Sequence, residues 1–251
     1  DIDAGKAICK APLPAWVLDG RSGVHTPEGS WSAARKTYVP RSTLPVYQRQ
    51  LFRAPVTGDA APDGGSAGTT VFEDDSVRIW HQGDEVLILS LKTKMHVIGQ
   101  GVIAGLAKAL AEAEKNYKGL VLWSADAAAG GAFSVGADLK STLPLFMSGG
   151  AKAIEPEVAK LQQAHLAMKY ASVPVVAAVS GMALGGGCEL MLHAAKRVAS
   201  IESYVGLVEV GVGLIPAGGG LKEAAVRAAA DAKGTDLLQF LKNYYMNAAT
   251  A

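Results

Sequence analysis

Two glycine-rich stretches constrain this chain more than any other part of it. The first runs Gly130-Gly131-Ala132-Phe133-Ser134-Val135-Gly136-Ala137-Asp138-Leu139 and the second Ser180-Gly181-Met182-Ala183-Leu184-Gly185-Gly186-Gly187-Cys188-Glu189-Leu190. Each reads as a strand end, a tight turn and a helix start. A helix start leaves backbone N–H groups without intrahelical partners and carries the positive end of the helix dipole. Two such loops aimed at one oxygen make an oxyanion hole, and Glu189 places a carboxylate directly after the second. The expected donors are the N–H groups of Val135 and Gly186. Glycine suits position 186, because a backbone that closely approaches a ligand leaves no room for Cβ.

The segments around these loops predict an α/β fold. Ser76–His81, Gly83-Asp84 and Val86–Leu91 read as a β-hairpin. Val102 to Glu114 places Ile103, Leu106, Ala107, Leu110 and Ala111 on one face of an amphipathic helix. Gly119–Ser124 and Val173–Val179 read as buried strands, with Pro174 near a strand start, where its missing N–H is tolerated. Helices are predicted over Glu155–Tyr170, with Val158, Leu161, His165 and Met168 on one stripe, over Glu189–Lys196, and from Leu221 onward. A short strand is predicted at Val198–Ser200. Strands alternating with helices argue for mostly parallel β-β-α units.

Ala132–Leu139, Val175–Gly181 leading into Leu184–Leu190, and Glu209 with Leu214–Gly220 together resemble the crotonase (enoyl-CoA hydratase/isomerase) superfamily. The resemblance covers roughly Val71 to Lys222. It implies a crotonase-like core of β-β-α units and the hydration of 2-trans-enoyl-CoA to 3-hydroxyacyl-CoA, as in fatty-acid β-oxidation. No metal or redox cofactor is then required, because coenzyme A enters as part of the thioester substrate. In the family's hydratases both glutamate positions are Glu, so Glu189 and Glu209 are the expected catalytic carboxylates. Glu189 is expected to be the base for water and Glu209 the proton donor. Their neighbours Leu184, Val208, Val210, Val212 and Leu214 are apolar, which favours raised carboxyl pKa values. The resemblance also makes Ala132, Gly136, Ala137 and Asp138 positions that line the coenzyme A end, with Asp138 equally readable as a helix cap. Lys92 and Lys94 follow the second hairpin strand, where family members place a basic residue near the phosphates, and Lys94 is the expected phosphate contact.

Alternatives within the resemblance are an enoyl-CoA isomerase, other crotonase-type thioester chemistry, or a non-catalytic fragment that binds acyl-CoA. A serine hydrolase using Ser134 or Ser180 lacks the Gly-x-Ser-x-Gly elbow it would need. His165 reads as a packing residue and His193 as a structural contact of Glu189. No Cys/His/Asp/Glu spacing suits a metal site.

Composition narrows the partners. The chain has 251 residues, nearly half of them hydrophobic and 19% charged, which excludes general disorder. A formal net charge of +1 supplies no field for nucleic acid. No apolar run reaches membrane-spanning length. Cys9 and Cys188 make no disulfide framework, which fits a reducing cytosol and a cytoplasmic protein. Residues 1–70 read as a Pro- and Gly-rich irregular segment and linker, with Leu44–Phe52 as a tether and Asp63–Gly68 as its flexible end. Residues 71–251 read as the enoyl-CoA hydratase domain, C-terminally shortened, since only 42 residues follow Glu209. The family's further helices close the coenzyme A pocket and assemble trimers, so a homotrimer is expected only where those helices are present. The chain begins without Met, and its approach resembles a multifunctional oxidation protein carrying a 3-hydroxyacyl-CoA dehydrogenase part. A covalent neighbour domain in a longer parent is therefore expected. The GxGxxG fingerprint of such a dehydrogenase is not in this sequence.

Overall fold

The computed structural model describes residues 19–20, 23–26, 29–40, 68–124, 131–233 and 236–249. The predicted tether Leu44–Phe52, most of the linker, Cys9 and Gly130 lie outside the described residues. The chain divides into two compact units, Asp1–Ser66 and Ala67–Ala251. In the first, β1 (His25–Thr26), β2 (Gly29–Ser32) and β3 (Thr37–Val39) form an antiparallel sheet in the order β1-β2-β3. Trp31 meets Tyr38 edge-on across a register pair, with ring centroids 5.3 Å apart. A small sheet thus stands where the proline density predicted irregular chain. Its strands are too short to show period-two patterning, and one aromatic cross-strand pair accompanies them.

The second unit is built from strand pairs. β4 (Thr69–Glu73), β5 (Val77–His81) and β6 (Val86–Leu91) form an antiparallel meander, and α1 (Gln100–Asn116) follows. Next come β7 (Gly119–Leu122), β8 (Ala132–Ser134) and α2 (Leu139–Lys169), then β9 (Val175–Val179), β10 (Met182–Leu184) and α3 (Gly186–His193). The chain continues through β11 (Lys196–Ala199), β12 (Tyr204–Gly206), α4 (Gly220–Ala232) and α5 (Leu237–Ala249). The larger sheet runs β11-β9-β7-β6-β5-β4 and is parallel from β6 to β11; the smaller runs β12-β10-β8 and is wholly parallel. β7 and β8, β9 and β10, β11 and β12 thus each give one strand to each sheet, and a helix follows. That is a stack of β-β-α units.

The core explains the strand sequences. Leu87, Leu89, Leu120, Val175 and Ala177 are buried in the central strands, in register as Leu87↔Leu120 and Leu120↔Val175. α1 covers this sheet through Val102, Leu106, Ala109, Leu110 and Ala113. That face is rotated from the predicted one, since Ala107 and Ala111 are exposed. The cause is Gly105: a Cβ there would lie 2.5 Å from a Val77 methyl, so the helix backbone sits directly on β5. α2 starts sixteen residues before its predicted start and breaks at Gly150 (φ 62°, ψ −153°), where the helical path changes. Its second half buries Ala164, His165 and Met168 toward the core. Among the described residues no helix is long and apolar enough to cross a membrane.

Candidate active site

Both glycine-rich loops lie at the C-terminal ends of the smaller sheet's strands, so parallel pairing brings them side by side. Ala183 on β10 pairs with Ser134 on β8, and each strand leads into its loop. At Gly185 (φ 52°) the chain turns into α3, and at Gly136 (φ 95°) toward α2, both at positive φ that favours glycine. The loops pack so closely that a Cβ on Gly136 would lie 2.8 Å from the Gly186 nitrogen, and one on Gly186 would lie 3.4 Å from the Ala137 nitrogen.

The amide hydrogen bonds separate the candidate donors. Val135 N–H, one of the two expected donors, points instead at the Met95 carbonyl oxygen at 3.3 Å. Gly136 N–H donates to Ser134 Oγ at 3.2 Å and Asp138 N–H to the Ile98 carbonyl at 3.1 Å. Among the described residues, no acceptor takes the Ala137 N–H, and Gly186 N–H is a first-turn amide of α3. The amides left without an acceptor among the described residues are therefore Ala137 and Gly186, while Val135 N–H is shared with Met95. Sequence alone does not separate these positions, because what removes Val135 is a turn distant in the chain. Met95 and His96 both have positive φ, 55° and 53°, which swings the Met95 carbonyl onto the loop. That turn is tied down by His96 Nδ1 against the Ala132 carbonyl (2.6 Å) and by Ser134 Oγ–H donating to the His96 carbonyl (2.7 Å).

Glu189 sits at the fourth position of α3 and is 2% exposed. Its carboxylate accepts Gly218 N–H at 3.0 Å and Gly220 N–H at 2.9 Å, one on each oxygen. These two amides carried no role in the sequence reading; Leu214–Gly220 entered it only as a motif. Burial pushes the Glu189 carboxyl up to about 7, the nearby Glu209 charge adds to this, and the loop amides oppose it. Glu209 opens a short 3₁₀ turn (Glu209–Val212) and faces Gly185, with Oε1 3.4 Å from where a Cβ on that glycine would stand. Its Oε2 is buried without a hydrogen-bond partner, and burial raises its pKa. The two glutamates, twenty residues apart in sequence, thus border the same loop, Glu189 fully held and Glu209 with an oxygen to spare.

The remaining predicted positions divide. Ala137 is exposed and lines an open groove of about 210 Å³ with Gly99, Ser141, Thr142 and Glu157. Ala132 is 4% exposed within β8, and its carbonyl is taken by His96. Asp138 caps α2 by accepting the Lys140 N–H at 3.1 Å. Lys94 is exposed, whereas Lys92 is tied to Glu73 at 2.7 Å and to the Asp74 carbonyl at 2.7 Å. Ile98, Ile103 and Leu161 border both the groove and a narrow apolar cavity of about 20 Å³ that reaches Leu89, Phe133 and His165. Cys188 is buried and its thiol is pushed up to about 12 by burial beside two carboxylates, the opposite of activation by a helix start. No group of three metal-ligating side chains occurs among the described residues.

Stacked β-β-α units with glycine-rich loops at the ends of parallel strands define an α/β protein of crotonase type. The family model "Enoyl-CoA hydratase/isomerase" matches residues 84–250, and the chain belongs to that family. It is 43% identical over 141 residues to a Bacillus subtilis protein named "Probable 3-hydroxyacyl-CoA dehydrogenase", covering 56% of this chain and 17% of that protein. It is 37% identical over 173 residues to a Rickettsia felis "Putative fatty acid oxidation complex trifunctional enzyme", covering 69% of this chain and 23% of that one. The chain therefore spans about a fifth of the length of these curated relatives. Among solved structures, an enoyl-CoA hydratase from Thermoplasma volcanium is 27% identical with a TM-score of 0.52, covering 64% of each chain.

Proposed function

We propose that this chain hydrates 2-trans-enoyl-CoA thioesters to 3-hydroxyacyl-CoA, and that it does so as one part of a fatty-acid oxidation protein. The observation that carries the proposal is the paired, inequivalent environment of Glu189 and Glu209. Addition of water at C3 of a conjugated thioester pushes an electron pair from the C2–C3 bond toward the thioester oxygen. The Ala137 and Gly186 amides meet that developing charge, and fixed donors of this kind are each worth about 3 kcal/mol of barrier. Glu189, oriented by Gly218 and Gly220, keeps lone pairs free to take a proton from the attacking water. A carboxyl poised near 7 is ionised in about half the molecules at neutral pH, which suits a general base. Glu209, whose carboxyl pKa is raised by burial, delivers a proton to C2. The proton left on Glu189 then returns to Glu209 through solvent, which restores the site. The reaction is redox-neutral, so the proposal assigns no metal or redox cofactor. Ala137 and the groove it lines receive the thioester, with Gly136, Asp138 and Lys94 toward its coenzyme A end.

The test is the loss of conjugated-enone absorbance with crotonyl-CoA and a longer enoyl-CoA, for the chain and for Glu189→Gln and Glu209→Gln. Each variant is expected to lose about 10²–10⁴ in kcat, the contribution of a positioned acid or base. Full activity in either variant, or double-bond migration in place of water addition, overturns the assignment.

A further inference from the structure

Two buried histidines stand behind Glu189, and the mechanism above uses neither. His165 on α2 is 0% exposed, and its Nδ1 lies 2.8 Å from the Gly218 carbonyl oxygen. His193, in the last turn of α3, has Nδ1 2.7 Å from the carbonyl oxygen of Glu189 itself. A carbonyl oxygen only accepts, so each ring donates through Nδ1–H. The rings stack with centroids 4.9 Å apart and planes 23° apart. His193 also abuts Gly219, where a Cβ would lie 3.0 Å from the ring's Cε1 and Nε2. The pair therefore contacts the Glu189 backbone and the Gly218-Gly219 peptides on either side of the amides that hold the carboxylate.

The environment of His165 shows what the imidazole contributes. Its Nε2 is buried and has no hydrogen-bond partner in the described residues. That is less favourable than an apolar side chain of similar size would be. What the ring supplies and such a side chain cannot is the N–H bond to Gly218. Burial pushes its pKa down to about 4, so at neutral pH the ring is an uncharged donor that adds no charge near Glu189.

We propose that His165 and His193 are positioning residues that brace the Gly218–Gly220 loop, so that its two amides hold the Glu189 carboxylate in its working geometry. The catalytic consequence rests on Glu189 being the base of the proposed hydration; the brace itself does not. The two amides favour the ionised carboxylate, so a loosened loop leaves Glu189 holding its proton to higher pH. Glu189 is faced by Glu209 across Gly185 and by Cys188 on its own helix. The histidine pair is faced by Lys222 and Glu223 on α4 and by Lys169 on α2, with Arg227 reached through Glu223. Substitution at 165 leaves all of these in place.

The test compares His165→Leu, His165→Phe and His165→Asn in the whole chain. Phe keeps a stacking ring but no donor, and the Asn amide nitrogen stands near the place of Nδ1. The titration of Glu189 is read directly from its carboxyl band in infrared difference spectra, assigned by the band's loss in Glu189→Gln. In the Leu and Phe variants the Glu189 pKa is expected to rise by about one unit, and in the Asn variant to return toward the wild-type value. With enoyl-CoA, kcat at neutral pH is expected to fall about tenfold in Leu and Phe while KM stays within about twofold. The infrared titration needs no turnover, so it separates failure of the brace from failure of the hydratase reading. An unchanged Glu189 titration in a folded Leu or Phe variant, or an Asn variant no closer to wild type than Leu, overturns the proposal.

Discussion

Replacing Glu189 by Gln removes a titrating proton at nearly constant shape, and the structure sets both the sign and the size of the consequence for stability. In the folded protein the carboxyl is raised from an ordinary 4.5 to about 7, chiefly by burial. The folded state therefore holds a proton that the unfolded chain has already released across that window. Where the folded state binds more protons, stability falls as pH rises. A gap of about 2.5 units at about 1.4 kcal/mol per unit amounts to about 3 kcal/mol lost between pH 4 and pH 8.5. Gln does not titrate. Whatever it costs to set an amide against the Gly218 and Gly220 N–H groups is the same at every pH. The stability of Glu189→Gln relative to wild type should thus improve by about 3 kcal/mol from acid to base, or roughly 6–12 °C in Tm for a domain of this size. Relief of the charge beside Glu209 acts in the same direction. Thermal unfolding of both proteins at matched ionic strength across the range provides the assay. Stability curves that run parallel within about 0.5 kcal/mol, the precision expected of independent sites, would mean that the Glu189 carboxyl is not raised in the folded protein.

Gly136→Ala places a Cβ 2.8 Å from the Gly186 nitrogen and 2.9 Å from the Leu184 carbonyl oxygen, at a φ of 95°. It is expected to lower kcat by about 10²–10³, the effect of losing one oxyanion donor, and a variant with full activity would place the donors elsewhere. Cys188, 3% exposed with its thiol raised to about 12, should resist maleimide in the native protein at mildly alkaline pH and react on unfolding in urea. Rapid native labelling would mean that α3 opens. Glu223 is 2% exposed and ion-paired with Lys169 at 2.6 Å and Lys222 at 2.9 Å. Glu223→Gln should cost about 2 kcal/mol at neutral pH. Because the folded pKa of this carboxyl is lowered, that loss should shrink as pH falls, and an equal loss in acid would contradict the assigned role.

The hairpin β5–β6 and the strands β7 and β9 were readable because each carries four to six apolar-rich residues in one run. The smaller sheet showed only as the strand ends that precede the two glycine loops. β8, β10 and β12 have three residues each, too few for any period to show, and parallel partners far apart in the chain define them. The same limit governs the site. Glycine at 186 signalled close approach to a ligand, and the structure sets another backbone there: a Cβ on Gly186 would lie 3.4 Å from the Ala137 nitrogen. Which amide beside Gly136 is free depends on Met95 and His96, about forty residues upstream, whose left-handed turn no local pattern announces. Likewise the amides that hold Glu189 come from Gly218 and Gly220, on a loop that only the tertiary fold brings to α3. The rotated face of α1 has a simpler cause, since Gly105 has no side chain to count in an apolar stripe yet packs directly on Val77 of β5.

The most direct test of the central claim is to follow the oxygen. The chain is incubated with crotonyl-CoA in heavy-oxygen water, and the product's mass and fragmentation are read. The site should install one solvent oxygen at C3, and Glu189→Gln should slow that incorporation by about 10²–10⁴. A product with the double bond moved and no solvent oxygen, or labelling of Glu189→Gln at the wild-type rate, would contradict the account.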